Sequence, residues 1–306
     1  MNVIEAQGLG KRYGRSWALR DCTLAVPQGR VVALVGPNGA GKTTLLHLAV
    51  DLTKQTTGEI TVLGGIAPGS DEALNRIGFV AQDTPLYQYL SVADTMRLVE
   101  NLSARFDAAN ARARLAELGI PLNRKVGKLS GGQHAQVALA VALARHPDLL
   151  ILDEPVARLD PLARHEFMGT LMAATVEDGI SVLLSSHVVS ELERVCDYLV
   201  VLAAGRVQVA GDVDDLLDTH QLLTGPTEQA ATVAAARPVV HERRGERQTS
   251  LLVRANGTAA PPPPGWQTAG TNLEELVLSY LRAPNAAALP GPSASTAARR
   301  VEVGAS

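Results

Sequence analysis

The stretch GPNGAGKTT, residues 36–44, stands between the apolar run VVALV (31–35) and the helical pattern LLHLAVDL (45–52). This strand–turn–helix context is what a G-x-x-x-x-G-K-[S/T] phosphate-binding loop requires. The glycines let backbone amides wrap a polyphosphate at the positive end of the following helix. Lys42 is expected to neutralise the β- and γ-phosphates, and the Thr43 hydroxyl to ligate Mg²⁺. The alternative is a Gly-rich connector with an incidental lysine, which the preceding strand disfavours.

The whole loop is therefore predicted to contact a nucleotide. Its members are Gly36, Pro37, Asn38, Gly39, Ala40, Gly41, Lys42, Thr43 and Thr44.

A second apolar run, LLILDEP (149–155), ends in two carboxylates. Ligands of open α/β sheets bind at the carboxyl ends of the strands, where these acids lie. Asp153 suits a magnesium ligand, and Glu154 suits a general base that polarises the attacking water. Taken alone, either acid could instead cap the next helix. Beside a phosphate-binding loop, the catalytic interpretation is favoured.

Composition limits the class of protein. The 28 basic and 31 acidic residues give a net charge of −3, which does not favour binding to nucleic acid. The two cysteines, Cys22 and Cys196, are far apart and indicate buried thiols in a reducing compartment. The first residues lack a signal peptide's apolar segment, and the best apolar run, 135–144, is half the length of a membrane span. We expect a cytoplasmic chain that reaches a membrane only through a partner.

Short apolar runs alternate with helical patterns up to about residue 211, which predicts an α/β fold with a mostly parallel sheet. The early runs VIEAQ and DCTLAV alternate in hydrophobicity and predict an antiparallel addition. Helix starts are expected at Ser91, with Asp94 completing a capping box, and at Asp160, with an end before Gly179. Beyond residue 220, two strands, a stiff PPPPGW connector (261–266) and an amphipathic helix capped by Asn272 predict a small α+β extension.

The motifs together resemble the nucleotide-binding subunit of an ATP-binding-cassette (ABC) transporter. LSGGQ (129–133) is similar to that family's signature sequence, and LLILDEP to its Walker B strand. Gln82 matches the Q-loop, ARLD (157–160) the D-loop, and His187 in SSH the switch histidine. Tyr13 resembles the aromatic that stacks on adenine, with Trp17 as its local rival. The resemblance covers roughly residues 3–215.

The resemblance implies a P-loop ABC cassette at residues 1–219, with an antiparallel β subdomain and a helical subdomain at about 83–146. An accessory domain at 220–282 and a disordered tail at 283–306 are expected to follow. It also implies ATP and Mg²⁺ as cofactors, Glu154, His187 and Lys42 as catalytic residues, and Thr43, Gln82 and Asp153 as metal ligands. The signature start and the D-loop aspartate would bind the nucleotide of a second cassette: Ser130, Gly131, Gly132, Gln133 and Asp160.

The implied function is ATP hydrolysis that drives a separate membrane permease, with an identical chain expected as the second cassette. The region from Asp83 to Glu100 would receive the permease. The C-terminal helical segment resembles the ends of drug, antibiotic and lipid exporter ATPases, which favours export. The alternatives are a soluble ABC ATPase that acts on ribosomes or DNA, and a regulatory cassette without turnover. Two departures from the family pattern are Ala157, where the D-loop usually carries a serine, and the bulky Arg158 after it.

Overall fold

The computed structural model describes residues 1–254 and 261–283. Within these ranges the strands are β1 (Asn2–Tyr13), β2 (Ser16–Pro27), β3 (Val31–Val35), β4 (Thr57–Val62), β5 (Ile77–Val80), β6 (Leu149–Asp153), β7 (Ser181–Ser186), β8 (Tyr198–Ala203), β9 (Arg206–Asp212), β10 (His220–Pro226), β11 (Val239–Arg244), β12 (Gln248–Arg254) and β13 (Gln267–Gly270). The helices are α1 (Lys42–Ala49), α2 (Asp71–Arg76), α3 (Val92–Leu102), α4 (Ala108–Glu117), α5 (Gly131–Leu143), α6 (Pro161–Asp178), α7 (Val213–Asp218), α8 (Ala230–Ala235) and α9 (Leu273–Arg282).

The central sheet has six strands in the order β5-β6-β7-β3-β8-β9. All neighbours are parallel except β8 and β9, which pair antiparallel through a short turn. Strands β3, β6 and β7 are buried along their whole length, as their continuous apolar composition requires when both faces are covered. Since parallel strands end at one edge, the loops after β3, β5, β6 and β7 emerge together there.

The early strands form the predicted antiparallel addition, a three-stranded sheet in the order β2-β1-β4. Its inward side chains, among them Ile4, Leu9 and Leu24, share one buried cluster with α1 and with one face of the central sheet. The opposite face of the central sheet is covered by α5 and α6, through Leu139, Phe167 and others. The central sheet is therefore buried between two layers.

Helices α3, α4 and α5 enclose a third apolar cluster, which includes Met96, Leu115 and Val137. Local chemistry defines the ends of these elements. Ser91 and Asp94 form the predicted capping box at α3. Asp160 caps α6, Pro161 occupies its first turn, and the helix ends at Gly179 with φ +64°. The helix starts that the sequence predicts at residues 91 and 160 are thus confirmed.

The chain beyond residue 219 forms a four-stranded antiparallel sheet in the order β11-β12-β10-β13. The predicted strand pair appears as β11 and β12, and Asn272 caps α9 by accepting from the Glu275 amide. The apolar face of α9 lies in the same buried cluster as β3, β6 and β8. At its centre, Tyr280 donates its hydroxyl to His220 Nε2 at 2.8 Å. The last described helix therefore packs on the core beneath the central sheet as well as on its own sheet.

The α/β fold with its mostly parallel sheet is confirmed, whereas the domain boundary at 219/220 stays a prediction. The expected disordered tail lies, apart from Ala283, outside the described residues. In the described ranges, no helix has both the length and the apolarity needed to cross a membrane.

Candidate functional site

The phosphate-binding loop leaves β3 at Gly36 and continues into α1 at Lys42. Only glycine fits at both turning points. A Cβ on Gly36 would lie 2.1 Å from the Leu202 carbonyl oxygen, and one on Gly41 would lie 2.5 Å from that of Ala18. Gly41 also has φ +107°, which an L side chain rarely adopts. The close neighbours hold the loop around the start of α1, where unpaired amides favour an anion.

Lys42 is folded back into the loop, with only 5% of its side chain exposed. Its Nζ donates to the carbonyl oxygens of Gly36 at 2.7 Å and Pro37 at 3.3 Å. The same ammonium lies 3.2 Å from Glu154 Oε1. The loop therefore carries a buried cation, and phosphate oxygens could replace each of the three oxygens that it now contacts.

Glu154 stands directly after β6 in a left-handed conformation, with φ +47°. Its side chain is 9% exposed, and its two oxygens have different partners. Oε1 faces Lys42, while Oε2 lies 2.9 Å from His187 Nδ1 at the end of β7. Positive φ costs of order 1 kcal/mol in a non-glycine residue, and such outliers cluster at functional sites. The structure thus brings the three predicted catalytic residues into one chain of contacts.

Asp153 and Glu154 are organised by Ser185, a residue that the sequence did not single out. The buried Ser185 hydroxyl donates to Asp153 Oδ1 at 2.6 Å and accepts from the Glu154 amide at 2.8 Å. From the neighbouring parallel strand it therefore orients the Asp153 carboxylate and anchors the backbone of Glu154. The only signal in the sequence was its place in the SSH run, two residues before His187.

The signature segment forms the exposed start of α5. Ser130 Oγ accepts from the Gln133 amide at 3.2 Å, and Gln133 Oε1 accepts from the Ser130 amide at 3.2 Å. Gly132 is needed for packing, since a Cβ there would lie 2.7 Å from Ala163 Cβ on α6. A cavity of about 210 Å³ between the starts of α5 and α6 includes Asp160 in its lining. The predicted second anion site is thus a preformed helix start.

Other predicted residues are not joined to this centre by polar contacts. Within the described ranges, Tyr13, Gln82 and the signature residues make no hydrogen bond or ion pair with Lys42, Asp153, Glu154 or His187. Tyr13 and Trp17 are both exposed, each with a cation near its ring: Lys11 Nζ at 5.0 Å and Arg12 Cζ at 5.6 Å. Tyr13 as the ring that stacks on adenine stays a prediction. Gln82 is exposed beyond the end of β5.

The residues near the loop fit a magnesium ion that is completed by substrate phosphates. The described residues hold no group of three or more His, Cys, Asp or Glu that could bind a metal by themselves. Mg²⁺, however, commonly takes only one or two protein oxygens and keeps phosphates and waters. Asp153 uses Oδ1 for Ser185, and Oδ2 accepts no hydrogen bond from the described residues. That oxygen and the Thr43 hydroxyl are hard donors of the required kind.

Comparison with known proteins identifies the family of this chain. The family model described as ABC transporter matches residues 19–157. The chain is 35% identical to the Nod factor export ATP-binding protein I of Rhizobium leguminosarum bv. viciae, over 83% of this chain and 79% of the relative. It is 34% identical to the sulfate/thiosulfate import ATP-binding protein CysA of Yersinia pseudotuberculosis, over 70% and 61%.

Among solved structures, a bacterial ABC transporter cassette determined as a dimer superposes with a TM-score of 0.61 at 28% identity. The superposition covers 68% of this chain and 98% of that cassette. The family model, the relatives and the superposed cassette all point to one family, whose motifs are the phosphate-binding loop, the two acids after β6 and the signature at the start of α5. The chain belongs to the ABC transporter family as an ATP-binding, ATP-hydrolysing subunit.

Proposed function

We propose that two copies of this chain sandwich two ATP molecules and hydrolyse them to drive a membrane permease that exports its cargo. The observation that carries the proposal is the contact chain Lys42–Glu154–His187 at the carboxyl edge of the parallel sheet. A phosphate-binding cation, a carboxylate and an imidazole meet there, which is the set that phosphoanhydride hydrolysis needs.

The chemistry follows from how these contacts exchange. When the triphosphate occupies the loop, Lys42 Nζ leaves the Gly36 and Pro37 carbonyls and the Glu154 carboxylate for phosphate oxygens. Glu154 is then released to take a proton from the attacking water. His187, 42% exposed and already beside Glu154, is placed to orient the water and contact the γ-phosphate.

Magnesium, held by Thr43 and Asp153 with Gln82 as a further oxygen donor, would neutralise charge on the β- and γ-phosphates. The protein's own part is to keep Asp153 oriented. Its carboxylate is 1% exposed and is fixed by the Ser185 hydroxyl.

A second copy is proposed because the chain carries two anion sites that do not meet. Ser130 and Gly131 are exposed at the start of a helix, and no described contact joins them to the loop at residues 36–44. A helix start of this kind favours a phosphate oxygen through its free amides and dipole. We therefore assign the start of α5, with Gly132, Gln133 and Asp160, to the γ-phosphate side of the neighbour's nucleotide. The cassette that superposes on this chain was itself determined as a dimer.

The permease is proposed to dock on the segment after β5. Tyr87 and Tyr89 are 55% and 69% exposed, and their ring centroids lie 5.7 Å apart. Paired exposed aromatics are costly to leave in water and are enriched in interfaces. This attachment would hold the subunit at the cytoplasmic face of the cell membrane.

Export is favoured over import by the extent of the similarity. The match to the Nod factor export protein covers 83% of the chain, against 70% for the import protein. The longer match includes part of the region at 220–282, which we propose as an accessory domain of an exporter subunit.

The first test replaces Glu154 with glutamine. A general base contributes about 10²–10⁴-fold, so Glu154→Gln should bind ATP and dimerise while hydrolysing at least ~100-fold more slowly. The measurements are phosphate release and light scattering with ATP. Equal turnover by the variant and the parent would remove the assignment of Glu154 as the base.

The second test addresses the shared site. Lys42→Ala spoils the loop, and Ser130→Arg spoils the signature, so each variant alone should lack an intact composite site. A mixture should regain activity, because one site of each mixed dimer keeps both halves. If mixing leaves the rate at the sum of the two separate samples, the intermolecular site is wrong.

A further inference from the structure

Two loops at the carboxyl edge of the sheet carry opposite charges in positions that the fold makes adjacent. Asp83 follows Gln82 after β5, and Arg158 lies in the turn between Glu154 and Asp160 after β6. β5 and β6 are parallel neighbours, with Val80 paired to Leu152, so both loops leave the sheet side by side. The register, which joins residues about 70 positions apart, places the two charges within reach.

The two side chains are joined directly, since Arg158 Nη2 lies 3.1 Å from Asp83 Oδ1. Both side chains are largely exposed, 75% for Arg158 and 78% for Asp83. Within the described residues, neither side chain makes another ion pair or hydrogen bond. Exposed pairs of this kind are weak and screened by salt. The pair is therefore a link that can break and re-form, and it contributes little to global stability.

The backbone of the same turn reaches the signature helix. The Arg158 carbonyl oxygen lies 4.0 Å from the place a Cβ would take on Gly131. Arg158 thus stands between the start of α5 on one side and the segment after β5 on the other. A displacement of Arg158 would therefore shift both the start of α5 and the segment after β5.

The far end of the segment after β5 is also tied to the signature region, through the backbone. The Gly127 amide donates to the Gln88 carbonyl at 3.0 Å, and the Val126 amide donates to the Leu90 carbonyl at 2.9 Å. Residues 126–127 lie just before the signature at 129–133. Segment 83–90 is therefore held at both ends by elements that carry predicted nucleotide contacts.

From these contacts we infer that Arg158 and Asp83 are positioning residues for ATP hydrolysis, which link the segment after β5 to the turn before Asp160. The inference rests on the proposed function, because it treats segment 83–90 as the permease-receiving surface. Displacement of that segment pulls on Arg158 through a charge contact, and Arg158 moves the Asp160 turn and the edge of α5. The departure of this turn from the family pattern, a bulky arginine, is what creates the link.

A charge-swap cycle tests the link. Asp83→Arg and Arg158→Asp should each lower kcat for ATP by about two- to fivefold, the range that an exposed ion pair can account for. The KM for ATP should stay within about twofold, because the phosphate-binding loop is untouched. The double variant, which restores opposite charges, should return kcat to near the parent value. Glu72→Gln, which removes a surface carboxylate paired with Arg76 at 2.8 Å on α2, is the matched control and should leave kcat unchanged.

Amide hydrogen exchange supplies a readout that does not depend on turnover. Arg158→Asp should speed exchange in residues 83–90, and Asp83→Arg in residues 155–160, while the double variant restores both. Independent effects that add in the double variant, or an unmutated loop whose exchange does not change, would overturn the inference. If the parent protein shows no ATPase activity, the proposed function is wrong. The hydrogen-exchange measurements on the two single variants and the double variant would still decide whether Arg158 and Asp83 are coupled.

Discussion

Because Lys42 is paired with Glu154, we predict that nucleotide phosphates must compete with this carboxylate for the Lys42 ammonium. Glu154→Gln keeps the size of the side chain and removes its charge. Lys42 then leaves two backbone carbonyls and a neutral amide oxygen, with no carboxylate to compete, when phosphates arrive. We expect the variant to bind ADP more tightly than the parent, with no change in the loop itself.

The magnitude follows from the geometry. Two unit charges 3.2 Å apart attract by about 5 kcal/mol at an effective dielectric constant of 20. Much of this is offset by the cost of burying both groups, since the side chains are only 5% and 9% exposed. For the net stabilisation that the Glu154 charge gives to Lys42 we take ~1.5–3 kcal/mol, the range typical of a hydrogen bond to a charged group. At ~1.4 kcal/mol per factor of ten, ADP affinity should rise about 10- to 100-fold.

ADP in the presence of a chelator that removes Mg²⁺ is the informative ligand. ADP lacks the γ-phosphate, which Glu154 would repel and which is proposed to close the dimer. Calorimetric titration of the monomeric chain gives the dissociation constant directly. Glu154→Asp, which keeps the charge on a shorter side chain, is the control and should stay closer to the parent. Dissociation constants within twofold for Glu154→Gln and the parent would refute the reasoning.

The remaining predictions concern four residues, Ser185, Gly41, His220 and Tyr280. Ser185→Ala leaves Asp153 without its hydroxyl donor and should weaken the Mg²⁺ dependence of ATP hydrolysis, measured as a higher half-saturating Mg²⁺ concentration. Gly41→Ala places a Cβ 2.5 Å from the Ala18 carbonyl oxygen and should abolish nucleotide binding in a titration, while far-UV circular dichroism stays native. Burial lowers the pKa of His220 below its ordinary value. As the pH falls, this imidazole is therefore protonated in the unfolded chain before it is protonated in the folded chain. Protonation then favours unfolding, and the melting temperature should fall as the pH drops below about 6.5. His220→Gln should flatten that slope, and Tyr280→Phe should lower the melting temperature at neutral pH by leaving the imidazole Nε2 unpaired, a cost of ~1–3 kcal/mol.

Local chemistry is what made much of the site predictable. A phosphate-binding loop is a run of consecutive residues, so its glycines, lysine and threonine can be recognised without the rest of the chain. The starts of α3, α6 and α9 were equally readable, because a capping side chain bonds to an amide two or three residues ahead. The alternation of strands and helices was enough for the sheet class.

The contacts that were not predicted all join distant residues. Ser185 reaches Asp153 and the Glu154 amide across 31 or 32 positions, and it could do so only after β6 and β7 paired in register.

The sequence by itself determined the loop that binds phosphates, the acids that follow β6 and the helix start at the signature, because each is written in adjacent residues. Only the tertiary structure decided that Lys42 rests on Glu154, that α9 packs into the cassette core and that Arg158 meets Asp83. Those contacts depend on strand order and on the burial of apolar faces, which no short stretch of sequence specifies.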